Sequence, residues 1–299
     1  MFTRILVPLD GSELAEKVLP FTCYLAEKFQ ATLVLFHVVE KDAPKEIHGQ
    51  HHLRHVDEAR IYLNKVAENP ACAGITIVQD VHEVQEEGVA QTIRDHAEEL
   101  KTDLIVLCAH GNGGLRDVFF GSIAQQVIRE GRIPVVFIRP ETIKVLPINP
   151  IRHILLPLDG SKSHEDSIPI AATLAEKFHA KINLLTVVPT IETSPVRAAL
   201  ISRVSPRAAK LSLDISAQQA EKYLAAISED LSDDGIAVSW KVLRGDVLAG
   251  LTETISVENI DLVVIATHGH SAIDVTWEGS LTPRFLPNAQ IPVILLRGN

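Results

Sequence analysis

The chain carries one sequence pattern twice, and this repeat constrains its fold more than any other feature. Arg4-Ile-Leu-Val-Pro-Leu-Asp-Gly-Ser12 returns as His153-Ile-Leu-Leu-Pro-Leu-Asp-Gly-Ser161, and Leu25-Ala-Glu-Lys-Phe29 returns as Leu174-Ala-Glu-Lys-Phe178 at the same offset. Further along, His110-Gly111 is followed after nine residues by Gly121-Ser122, and His268-Gly269 after nine residues by Gly279-Ser280. Such self-similarity marks a duplicated domain. With 299 residues, each copy is long enough to bury a core without structural metal or disulfides.

Within each copy, short β-branched runs alternate with longer helical patterns, the rhythm of βαβ units and a parallel sheet. The runs predict strands at 5–7, 32–38, 75–78, 104–107 and 135–138, then at 154–157, 181–187, 238–243, 262–265 and 293–296. The first helix of each copy is expected to start at Ser12 and Ser161, whose hydroxyls can cap a free backbone N–H. Pro20 and Pro169 fall inside these helices, where a kink rather than a break is expected. The proline-punctuated stretch 141–150 reads as an extended linker between domains 1–140 and 151–299. The offset between copies grows by nine between the aspartate and glycine motifs, with much of the growth assigned between Pro189 and Tyr223. Arg197, Arg203, Arg207 and Lys210 lie there, on a solvated helix face in preference to a basic lid.

Charge narrows the function classes. With 28 Lys plus Arg against 38 Asp plus Glu, the net charge is −10, which argues against a broad grip on nucleic acid or an anionic membrane. Cys23, Cys72 and Cys108 have no close spacing and no counterpart in the second half. That pattern argues against a disulfide framework or a Cys-based zinc site and fits a reducing cytosol. No basic, apolar leader precedes Ile5 and no apolar run reaches bilayer length, so the reading is a soluble cytoplasmic protein.

Ligands of open parallel sheets bind beyond the carboxyl ends of strands, where the winding reverses. Asp10 and Asp159 follow the first strand of each copy and the glycine loops follow the fourth. A flavodoxin-like strand order would bring them together across one crevice. Gly111 and Gly269 allow close backbone approach to a phosphate, while Gly121-Ser122-Ile123 and Gly279-Ser280-Leu281 open a helix whose free N–H groups face an anion. The walls of a base pocket fall to the strand ends at Val38 and Val187 and to the corners Pro8-Leu9-Asp10 and Pro157-Leu158-Asp159. Asp-Gly is also a turn signal, but the repeated context of the two aspartates favours a site over a mere turn.

These motifs resemble the universal stress protein family in its tandem form, over nearly the whole chain. Nucleotide-binding members carry Gly-x2-Gly-x9-Gly-Ser/Thr after the fourth strand; here the pattern reads Cys108-Ala-His110-Gly111-x9-Gly121-Ser122 and Ala266-Thr-His268-Gly269-x9-Gly279-Ser280. The first glycine is replaced in both copies. Cys108 is bulkier than Ala266, which favours the second site, while Glu278 counts against it. The resemblance implies an α/β fold of two tandem flavodoxin-like (adenine-nucleotide alpha-hydrolase-like) domains, each with a five-stranded parallel sheet and helices on both faces. It further implies ATP, or ADP or AMP, with Mg as companion. The aspartate would then sit near ribose or metal-bound phosphate, the valine beside adenine, and the loop around the phosphates. Residues 133–139 and 291–297 would pair as fifth strands between domains, in a chain that forms a homodimer and serves an unidentified protein partner in stress response.

The glycine loops hold no lysine and no full P-loop, and no residue stands out as a base for water, so no catalytic residue is assigned and turnover is at most that of a weak ATPase. A slow ATP hydrolase and a nucleotide-free dimerisation adaptor are the alternatives. His268-Gly-His270 looks like part of a nucleotidyl-transferase signature but has no partner motif. His48, His51, His52 and His55 have near-helical spacing; a solvated face is the preferred reading over a metal site.

Overall fold

Aliphatic and β-branched runs form the inner strands here because they are buried on both faces, as a parallel sheet covered by helices requires, while the strands 77–84 and 238–244 are largely unburied. The structure, a computed structural model, describes residues 2–41, 46–47, 49–84, 88–108, 122–140, 150–190, 193, 206–268 and 284–298. The chain packs as two units, Met1–Pro150 with Leu286–Arg297, and Ile151–Phe285 with Gly298–Asn299.

The first unit contains β1 (Arg4–Pro8), β2 (Thr32–Glu40), a small hairpin of β3 (Glu46–Ile47) and β4 (Gln50–His51), then β5 (Ile77–Val84), β6 (Leu104–Cys108) and β7 (Val135–Ile138). Its sheet runs β5, β2, β1, β6, β7, all parallel. The second unit contains β8 (His153–Pro157), β9 (Lys181–Val188), β10 (Val238–Arg244) and β11 (Leu262–His268), parallel in the order β10, β9, β8, β11. The last strand, β12 (Val293–Gly298), lies antiparallel to β7, with Val293 opposite Phe137 and Leu295 opposite Val135.

Each anticipated strand is present, although the third starts at Ile77 and runs to Val84. The first copy keeps its five parallel strands, and the sheet is mixed because the fifth strand of the second copy pairs antiparallel with β7, the fifth-strand pairing that the resemblance implied. The doubly wound α/β architecture is as expected, with one difference in order. Flavodoxin runs 2-1-3-4-5, whereas the first unit runs third, second, first, fourth, fifth. The winding therefore reverses between the first and fourth strands, at β1/β6 and again at β8/β11. This places the two repeated motifs of each copy on neighbouring strands.

Helices connect the strands: α1 (Glu13–Glu16), α2 (Leu19–Phe29), α3 (Val56–Ala67), α4 (Val89–Glu99) and α5 (Ser122–Glu130), then α6 (Lys162–Glu165), α7 (Ile168–Phe178), α8 (Pro206–Asp233) and α9 (Val247–Val257). The expected kink at each proline is a short break instead. Pro20 has no N–H to return to Glu16, so α1 ends there, and the chain tightens into three-residue turns from Lys17 N–H to the Leu14 carbonyl and from Val18 N–H to the Ala15 carbonyl. Pro169 separates α6 from α7 in the same way. Ser12 caps the Ala15 N–H at 3.1 Å as anticipated. Ser161 does not cap; its hydroxyl lies 3.3 Å from that of Ser163.

The copies diverge most between β9 and β10, where α8 runs 28 residues against 12 for α3. Arg197, Arg203 and the linker at 141–149 lie outside the described residues. The cysteine reading needs correction: Cys23 on α2 and Cys72, in the turn Pro70–Cys72, form a disulfide with Cα atoms 5.3 Å apart. Sequence spacing concealed the pair because 49 residues separate its members, and packing of the Pro70–Cys72 turn against α2 brings them together.

Candidate functional site

At the carboxyl end of β1 the chain must turn sharply into α1, and Gly11 does so with φ +91°. Leu9 N–H first completes the sheet by donating to the Phe36 carbonyl at 2.8 Å. The Asp10 carboxylate then accepts from Ser12 N–H at 2.9 Å and from the Ser12 hydroxyl at 2.6 Å. In the second copy Gly160 has φ +83°, Leu158 N–H donates to the Leu185 carbonyl, and Asp159 accepts from Ser161 N–H at 2.9 Å. Both aspartates are therefore turn formers as well as site candidates.

Their remaining partners differ. His164 Nδ1 lies 2.7 Å from the Asp159 carboxylate, and the residue at the equivalent place in the first copy is Ala15. Burial acts to raise the Asp159 pKa, but hydrogen bonds from His164 and Ser161 outweigh it and hold the carboxyl well below the usual range. Asp159 thus stays ionised and exposed at the edge of the sheet.

The fourth strand arrives beside the first, with Ile5 opposite Leu104 and Ile154 opposite Leu262. Cys108, standing where the glycine pattern begins, donates its Sγ–H to the Leu14 carbonyl at 3.1 Å and so ties β6 to α1. Ala266, its counterpart, is buried in β11. Ser122 opens α5 as expected of a Gly-Ser helix start, Ile123 follows it on the surface, and His268 closes β11. His110, Gly111, Gly121, Gly269, Gly279, Ser280 and Leu281 lie outside the described residues.

Two repeated contacts escaped the sequence reading. His37 Nδ1 lies 2.6 Å from the Leu9 carbonyl, and the Thr186 hydroxyl donates to the Leu158 carbonyl at 2.8 Å. In each copy a second-strand side chain thereby fixes the corner before the aspartate. His and Thr share no obvious class, so comparing residue types hides the equivalence. The second contact pairs a glutamate of the first helix with a tyrosine of the helix after the second strand. Tyr223 donates to Glu165 at 3.2 Å, and Tyr62 stands beside Glu16. Burial pushes the pKa of both tyrosines up, and the neighbouring glutamates add to it. Here the residue types do repeat, and aligning the copies through their helices finds them.

Val38 is buried at the end of β2, while Val187 keeps partial exposure. Among the histidines, His51 is exposed and lies 3.7 Å from Glu58, but His52 is only 4% exposed, so the solvated-face reading fails at that residue. His52 is drawn inward because its segment folds back over the β1–α1 turn. His48 lies outside the described residues. Among the described residues no group of three or more His, Cys, Asp or Glu is arranged to hold a metal ion, and no helix is long and apolar enough to cross a membrane.

The sequence profile of the universal stress protein family matches residues 1–139 and again 150–297. The chain belongs to the universal stress protein family. It carries the family domain in two copies. Universal stress protein Sll1388 of Synechocystis is 30% identical over 154 residues, covering 46% of this chain and 98% of that protein. Universal stress protein YxiE of Bacillus subtilis is 28% identical over 151 residues, covering 46% of this chain and all of that protein. Over the full length, the crystal structure of a universal stress protein from Archaeoglobus fulgidus superimposes with a TM-score of 0.70 at 15% identity, covering 98% of each chain. Protein PA1789 of Pseudomonas aeruginosa, described as functionally unknown, gives 0.65 at 14% identity and covers 99% of this chain and 93% of that one. At such identities the two structures establish the shared fold alone.

Proposed function

We propose that this universal stress protein binds adenine nucleotide, ATP foremost, at the carboxyl edge of its sheets and acts as a cytoplasmic regulatory module in stress response. The observation that carries the reading is the meeting of the aspartate turn and the end of the fourth strand at the switch point, in both copies. That is where doubly wound sheets receive ligands.

The described residues fit such a ligand. Asp159 offers an exposed, ionised carboxylate to ribose hydroxyls or a Mg-bound phosphate, and Val187 offers an apolar strand edge to the base. The loops with Gly111, Gly121, Gly269 and Gly279 are assigned to the phosphates on their sequence pattern. Bound nucleotide would supply regulation rather than chemistry, shifting which loop arrangement a protein partner or a second chain of a homodimer meets.

Denaturing freshly purified protein and separating the released small molecules tests the reading. ATP or ADP in stoichiometric amount supports it. Nothing released, with no calorimetric response to Mg-ATP at millimolar concentration, refutes it and leaves the adaptor role. Light scattering of the intact chain tests the homodimer.

A further inference from the structure

We infer that Cys23 and Cys72 form a reversible thiol–disulfide switch in the first copy, which clasps the turn before β5 onto α2 when oxidised and releases it when reduced. The inference rests on the cytoplasmic placement proposed above and gives the stress-response role an input, the oxidation state of the compartment. In a reducing compartment a protein disulfide is usually transient, catalytic or redox-sensing.

The fold forms without this bond. Ala172 stands at the place of Cys23 in the second copy, and that half contains no cysteine. Yet α7 has 11 residues there, as α2 has in the first copy, and it packs on β8 and β9 in a sheet whose first four strands take the same order. The cross-link is therefore an addition to the architecture and not a condition of it.

Its place lets it open while the sheet stays intact. Cys72 is the residue that the turn Pro70–Cys72 buries against α2, whereas Pro70, Ala71, Ala73 and Gly74 around it are exposed. A Cβ built on Gly74 would meet no described atom within 4 Å. Cys72 N–H donates to the Asn69 carbonyl at 2.9 Å, Ala73 N–H to the Pro70 carbonyl at 3.3 Å and Ile75 N–H to the Cys72 carbonyl at 3.1 Å, so these bonds close within the segment. Leu33 N–H donates to the Thr76 carbonyl at 2.8 Å, which marks where the chain rejoins the sheet. Lifting residues 69–75 thus uncovers both sulfurs and leaves the β2–β5 ladder in place, a local opening of the kind that costs less than global unfolding.

Reduction consumes two thiols of a low-molecular-weight reductant. The first, as thiolate, attacks one sulfur; the S–S bond breaks and the departing cysteine takes up a proton. The second thiol then displaces the other cysteine from the mixed disulfide, and the reductant leaves as its own disulfide, having given two electrons and two protons to the protein. Closing reverses these steps, with a small disulfide as oxidant.

The test places the full chain, without denaturant, in glutathione mixed with its disulfide at graded ratios. Acid quench, alkylation and peptide mass analysis read Cys23 and Cys72, and hydrogen exchange is followed in parallel. The expected result is a bond that is open in a large excess of glutathione and recloses when the disulfide form predominates. In the open form the Cys72, Ala73 and Ile75 amides should exchange about tenfold faster while the β1 and β2 amides keep their protection. Cys23→Ala, which installs the second copy's residue, should give the fast-exchanging turn at every ratio, and Cys72→Ser serves the same end should Cys23→Ala fail to fold. A bond that persists until the strands of the first unit lose protection would overturn the switch and make it a permanent staple. So would two free thiols at every ratio, a turn whose exchange reduction leaves unchanged, or failure of both variants to fold. None of these readouts involves nucleotide, so the switch and the nucleotide reading stand or fall separately.

Discussion

Reducing the Cys23–Cys72 disulfide should destabilise the first unit and leave the second alone. The bond joins residues separated by 49 positions. In the loop-closure treatment, a loop of that size removes about 14 cal/mol/K of unfolded-chain entropy, or about 4 kcal/mol at room temperature. With a urea dependence of about 2 kcal/mol per molar, the midpoint of the first unit should fall by roughly 2 M. The second half contains no cysteine, so its own transition is an internal control. The assay is urea unfolding with and without a phosphine reductant, followed by hydrogen exchange and mass spectrometry so that each half is read separately. Thiol titration of the denatured, unreduced protein should find one free group, Cys108. Three free thiols, or a first-unit midpoint indifferent to reductant, would refute the reasoning.

Replacing His164 by Ala removes the closest partner of Asp159, so the Asp159 pKa should rise toward the ordinary carboxylate range, read by carboxyl-carbon NMR titration. Because that pKa is depressed in the folded protein, the pair stabilises the second unit above about pH 4 and the contribution is lost as pH falls. With Asp159 half exposed, the effect on stability should stay within about 0.2–1 kcal/mol. His37 carries the opposite charge type: burial lowers its pKa, the Leu9 carbonyl opposes this, and His52 and Asp10 act through their charges. Its penalty is absent above about pH 6.5 and grows below it, as the unfolded chain takes up a proton that the folded form resists. The amides at 50–53, which pack beside His37, should therefore exchange faster at pH 5.5 than at pH 7.5, after correction for intrinsic rates; equal protection would count against this. Thr186→Val leaves the Leu158 carbonyl without its side-chain donor and should cost about 1–3 kcal/mol in the second unit, measured by urea unfolding.

How far the site could be read in advance varied with the range of the interactions involved. Asp10-Gly11-Ser12 and Asp159-Gly160-Ser161 turn as expected because their hydrogen bonds span two residues. The break at Pro20 departs from the expected kink for an equally local reason, since a proline's missing N–H acts within one helical turn. The His37–Leu9 bond spans 28 residues, and the Cys108–Leu14 bond spans 94. No periodicity reports contacts of that kind, which depend on which strands become neighbours.

Repetition, hydrophobic rhythm and turn chemistry alone thus determined that the chain holds two βα-rich copies with an aspartate turn after each first strand, because these features arise from residues close in sequence. Tertiary structure alone decided that the first strand lies between the second and the fourth, that the two paired fifth strands run antiparallel, and that Cys23 meets Cys72. It also decided that Leu53 covers Gly11 while Gly160 stays open to solvent. Two nearly identical turns acquired different surroundings because a turn's shape depends on its own few residues, whereas its cover depends on the path of chain packed over it.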